Sequence, residues 1–75
     1  MWNKISTNVL VGVYTFRGVC YLGHVVENNW VEMVLEDVEV YDHEELYKTD
    51  VVCIPKEDIE LVLPVRAMEL NDRLM

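Results

Sequence analysis

The apolar pattern of residues 30–41 changes phase partway along, and few folds tolerate that. Val31, Met33 and Leu35 share one parity, whereas Val38 and Val40 share the other. Strand side chains alternate with a period of two, so a run whose apolar face flips must hold a bulge or a sharp bend, here between Glu36 and Val38. A strand bent in this way can serve both halves of a small barrel.

The rest of the chain fits that requirement. From Val9 to Leu63 it is rich in Val, Tyr, Ile, Leu and Trp, with turn residues roughly every ten positions, which is an all-β signature. Val9 to Phe16 ends at Arg17-Gly18, and Val19 to Glu27 ends at Asn28-Asn29, so these runs read as hairpins. Trp30 to Tyr41 leads into the acidic loop Asp42-His43-Glu44-Glu45, then Leu46 to Ile54, the turn Pro55 to Asp58, and Ile59 to Leu63. The expected fold is a five-stranded, strongly bent antiparallel barrel over 9–63, within one domain spanning 1–75. Short helical segments are expected at the ends. One covers 66–74, after Pro64 and with a Glu69 to Arg73 pair at i,i+4, and residues 1–8 make one more turn.

A chain of 75 residues has a small core relative to its surface, so a staple beyond that core is expected. Only Cys20 and Cys53 could form a disulfide. No apolar leader is visible in Met1 to Asn8, which favours reduced thiols and a cytoplasmic setting. Cys20, His24, His43 and Cys53 lack the close spacing of a metal site, so neither metal nor cofactor is expected, and His24 reads as a satisfied polar side chain. Self-association is the remaining staple. Val51 to Ile54 and Leu61 to Val65 are apolar on both faces, which an uncovered edge strand should not be. Pairing the fourth strand of one copy with the fifth of the next consumes both edges, and a rotation that closes gives a ring, five copies being as compatible as a larger number. The alternative is that the terminal segments fold over these edges. No run of about 18 apolar residues is present, so no membrane span is expected.

Fourteen acidic against six basic residues give a net charge of −8, which argues against a generic, charge-driven grip on nucleic acid. The acids all lie beyond residue 26; before it stand Lys4 and Arg17 alone. Catalysis finds no support, since the single serine, Ser6, is far in sequence from either histidine and no phosphate loop or nucleophile motif occurs.

Turns of a meander alternate between the two ends of the sheet. Asn28-Asn29 and Pro55 to Asp58 are therefore expected at one end, with Arg17-Gly18 and the acidic loop at the other. The first end then offers an indole from Trp30, amides from Asn28 and Asn29, and an ammonium from Lys56. Aromatic faces stack on bases, amides read base edges and cations meet phosphates, which suits single-stranded nucleic acid. The competing reading makes Trp30 a packing residue of the subunit contact and Lys56 a solvated turn residue. Glu27, Glu32, Glu57 and Asp58 near the same end oppose phosphates.

The strand order and one short motif resemble the Sm/LSm family of RNA-binding ring proteins. Gly18, Tyr21 and Gly23 match the family's spacing of turn glycine, aromatic and second glycine. The following Asn28, Asn29, Trp30, Val31 and Glu32 stand where the family has an aspartate, a base-stacking residue and a Met-Asn pair, with Trp30 on the stacking position. Asn28 replaces the aspartate, Val31 the methionine and Glu32 the asparagine. Where the family runs an apolar strand into Ile-Arg-Gly, this chain runs Val52-Cys53-Ile54 into Pro55-Lys56. The resemblance covers Val9 to Leu63. It implies an Sm-like, SH3-like barrel in a non-enzymatic homo-oligomeric ring, usually of six or seven copies, that binds single-stranded RNA, or DNA, in processing or chaperoning. The alternative is an acidic structural or protein-interaction ring, in host-cell cytoplasm if phage-encoded.

Overall fold

The computed structural model describes residues 9–65; the helix expected over 66–74 and the turn expected over 1–8 lie outside the described residues. Five strands follow one another: β1 (Leu10–Thr15), β2 (Val19–Asn28), β3 (Glu32–Asp42), β4 (Glu45–Pro55) and β5 (Ile59–Pro64), with a 3-10 turn at Lys56–Asp58. All pairings are antiparallel and the order across the sheet is β4-β3-β2-β1-β5, so β4 and β5 are its two edges, as the apolar pattern required.

That order forces the sheet to curl. Four strand spacings of about 4.8 Å would put the edges of a flat sheet roughly 19 Å apart. The 3-10 turn that joins them advances only about 8 Å from Pro55 to Ile59. The edges can be joined only if the sheet bends back on itself.

The bend lies where the phase changes. Met33 and Leu35 point into the core before it, Val38 and Val40 after it, and Glu36 and Asp37 are exposed between them. Leu22 pairs with Glu39 but His24 pairs with Glu36, so β3 holds one extra residue opposite Gly23, and Asp37 takes φ 53° to accommodate it. Gly23 lies at a close approach here. A Cβ on it would meet Val38 Cγ2 at 3.0 Å, the Glu36 carbonyl oxygen at 3.1 Å and Leu35 Cβ at 3.3 Å. A second irregularity, between Val25 and Glu27, places an extra residue on β2 and adds to the curvature.

The β1–β2 turn follows from its glycine. The Gly18 N–H donates to the Thr15 carbonyl at 3.1 Å and Gly18 sits at φ 86°, a type I turn closed by a left-handed residue. Thr15 is buried yet satisfied, since its hydroxyl donates to the Val19 carbonyl at 2.8 Å and accepts from the Val19 N–H at 3.2 Å.

The core consists of Val11, Val13, Val25, Met33, Leu35, Val38, Val40, Ile54, Ile59 and Val62. Each such aliphatic side chain contributes on the order of 1.5–3 kcal/mol when fully buried, so the core is modest. β4 adds little to it. Ile54 alone is buried, while Leu46, Tyr47 and Val51 are 62%, 47% and 54% exposed.

Candidate nucleic-acid interface

The β2–β3 connection is shaped by one side chain. Asn29 Oδ1 accepts the backbone N–H of Val31 at 2.8 Å and that of Glu32 at 2.9 Å, while the Asn29 N–H donates to the Glu32 carbonyl at 3.1 Å. This side-chain-closed turn delays the start of β3 to Glu32, so Trp30 and Val31 belong to the loop and not to the strand that their apolar character suggested. Both project outward, Trp30 at 85% and Val31 at 74% exposure.

The Lys56 N–H donates to the Val31 carbonyl at 2.8 Å, which joins this loop to the β4–β5 turn. Trp30, Val31, Pro55, Lys56 and Glu57 line a shallow cavity of about 290 Å³. Partial burial holds the Lys56 ammonium below the ordinary lysine pKa.

Of the four residues expected at this end, Trp30 and Lys56 share the cavity. Asn29 lies behind it with its side-chain oxygen engaged by the loop. Asn28 closes β2 opposite Met33, and its side-chain oxygen is buried, so it does not present that acceptor to solvent. Val31 and Pro55 were not foreseen as lining residues. The signal for Val31 was the asparagine three positions before Glu32, which marks a side-chain-closed turn and so an exposed Trp30-Val31 pair; Pro55 comes to the cavity through the bond of Lys56 to Val31 and had no local signal.

The separation of turns into two ends holds only in part. The Asp58 carbonyl accepts the Phe16 N–H at 3.0 Å, and Arg17 Nη2 lies 3.7 Å from Asp58 Oδ2. The 3-10 turn thus touches the Trp30 loop through Lys56 and the Arg17 turn through Asp58. A flat meander keeps these apart, whereas curling the sheet until β5 pairs with β1 brings them to one short segment. Arg17 therefore belongs near the site, with its charge partly met by Asp58.

No family model and no curated protein matches the sequence. Solved structures do match in fold. A heptameric archaeal Sm protein is 22% identical, over 79% of this chain and 88% of that one, with a TM-score of 0.70. The Sm protein of Pyrococcus abyssii in complex with a uridine heptamer is 20% identical over 79% of this chain and 86% of that one, at 0.70. A chain of the NatC complex bound to CoA is 12% identical over 87% of this chain and 86% of that one, at 0.73. Likeness at these identities is likeness of fold.

Proposed function

We infer that this chain, a divergent example of the Sm-like fold, is the subunit of a closed homo-oligomeric ring that binds single-stranded RNA without catalysing its cleavage. The observation that carries the reading is the indole of Trp30, 85% exposed at a loop tip beside Lys56. An exposed indole costs apolar contact with water, and a stacked base removes that contact while meeting the ring's π face. Ring closure has its own support, because β4 and β5 are both open edges with apolar residues on them. The fold is shared with an archaeal heptamer and with an Sm protein seen with a uridine heptamer, which supports both halves of the reading. Repetition around a ring turns one stacking site per copy into several linked sites. Such a ring would serve in RNA processing or as an RNA chaperone.

The test is a titration with short U-rich and A-rich oligonucleotides in a Trp2→Phe background, so that Trp30 alone reports. Saturable quenching at low salt, lost in Trp30→Ala while the oligomer persists, is the expected result. Indifference of Trp30 to every oligonucleotide would remove the RNA reading. Dissociation of the oligomer by Trp30→Ala would assign the indole to the subunit contact.

The net charge of −8 favours a second reading, an acidic ring that assembles with protein, and the likeness to a chain of the NatC complex supports it. It predicts a protein partner retained after nuclease treatment.

A further inference from the structure

We propose that the outer face of the sheet is a docking surface for a cationic amphipathic helix of a partner protein. Directly opposed residues of antiparallel strands share a face. Leu46 pairs with Tyr41, Tyr41 with Cys20, Cys20 with Tyr14, and Tyr14 with Leu61, so one apolar row crosses all five strands. Leu46 and Leu61 at its ends and Tyr41 beside Leu46 are open, at 62%, 40% and 41% exposure, while Cys20 in the middle and Tyr14 are half-buried.

Beside this row Gly12 lies between Leu22 and Leu63. Having no side chain, it leaves a dip in the face, and a cavity of about 380 Å³ forms there, lined by Gly12, Tyr14, Cys20, Tyr21, Leu22 and Tyr41. The core does not use this surface, because the inward residues of β1 are Val11 and Val13. It is also separate from the cavity beside Trp30, with which it shares no lining residue.

The rim decides the occupant. Glu39 pairs with Leu22 and accepts the Tyr41 hydroxyl at 3.1 Å. Glu36, paired with His24, stands on the same face on the other side, and Glu44 in the β3–β4 turn edges it beyond Tyr41 and Leu46, whereas Asp42 and Glu45, one position on from those two, have the opposite parity. The base among them, Lys48, is opposite Glu39. A second copy brings the same acids and the same net charge of −8, so like charges oppose a face-to-face pair. A cationic partner meets the rim favourably. Helical anchors one turn, about 5.4 Å, apart come close to the strand spacing of about 4.8 Å, so successive anchors can reach Tyr41, Cys20 and Tyr14.

The two free cysteines give an internal readout: Cys20 lines the cavity and Cys53 is exposed on β4. The rate of thiol modification is measured for Cys20 in the full chain carrying Cys53→Ser, and for Cys53 in the chain carrying Cys20→Ser. The probe is a synthetic Leu/Lys amphipathic helix of about 20 residues, above the length at which isolated helices are marginal in water. At about ten times its Kd the peptide should slow Cys20 modification about tenfold and leave Cys53 nearly unchanged. A scrambled peptide of the same composition and a Leu/Glu helix should give no protection, and Leu22→Asn should weaken the protection. Amide shifts of Tyr14, Leu22 and Tyr41 in the unmodified chain provide the same readout without substitution. Equal protection by the scrambled peptide, or none by the amphipathic one, overturns the proposal. So does a Cys20 already unreactive in the chain alone and released by deleting 1–8 or 66–75, or by dilution. In those cases the chain itself or a second copy covers the face. RNA binding at Trp30 is read separately, so either result leaves the other intact.

Discussion

The backbone N–H of Lys56 reaches the carbonyl of Val31 at 2.8 Å and makes one unit of two loops that are distant in sequence. Main-chain bonding of this kind fixes the base of each loop, so the backbones that carry Trp30 and Lys56 need little ordering when a ligand arrives. Interactions prepared in advance cost less entropy on binding.

Asn29→Ala should loosen that unit, because two backbone N–H groups lose their acceptor. The expected loss of stability is about 1–3 kcal/mol, measured by urea unfolding, since each of the two bonds contributes roughly 0.5–1.5 kcal/mol. Asn29→Asp keeps the acceptor and should stay near the parent. Oligonucleotide affinity should fall in Asn29→Ala although the side-chain oxygen is not offered to the ligand.

Gly23→Ala tests the bend. The added methyl would press on the Glu36 carbonyl and on Val38, neither of which is the end of a flexible side chain. Overpacking of this kind costs about 1–3 kcal/mol. Thermal unfolding should shift down by about 4–8 °C per kcal/mol in a domain of this size. An unchanged midpoint would show that the sheet does not depend on close approach at Gly23.

A charge on an open edge tests ring closure. Val51→Lys places an ammonium on exposed β4, where a neighbour's strand would lie. The parent should scatter light as one closed oligomer of constant mass across dilution, and the variant should shift towards monomer with its circular dichroism retained. A parent that is monomeric at micromolar concentration would refute the ring.

Alkaline pH tests Lys56. Burial lowers its pKa, so in the folded chain it gives up its proton at a lower pH than an ordinary lysine. In the window between those two values the unfolded chain binds more protons, so stability rises with pH there. Affinity for a phosphate backbone should move in the opposite direction, falling as the ammonium is lost. Lys56→Arg should flatten the affinity profile, because guanidinium keeps its charge.

The bend could be read from the sequence because burial on one face writes a period of two into a strand, and the slip at Glu36 to Val38 breaks it. The two edges were legible for the same reason, through Val51 to Ile54 and Leu61 to Val65. The loop at Trp30 was less so. An indole followed by valine looks like the start of a strand, but the Asn29 side chain, competing for the Val31 and Glu32 N–H groups, helps to hold both out of it. The nearness of Arg17 to Asp58 was not legible, since it depends on closure between β1 and β5 and not on any local pattern.

That closure also dictates an order of events. The contacts of β1 with β2, β2 with β3 and β3 with β4 join neighbours along the chain and can form as successive hairpins. The pairing of Val11 with Pro64 joins residues about fifty positions apart. Distant pairings carry the larger entropy of loop closure and come slowly. A chain still emerging from synthesis would therefore hold β1 as a bare edge until its last strand arrived. In the proposed ring, assembly with other copies would wait for that final strand, and the β1–β5 contact would be the step that commits a subunit to its partners.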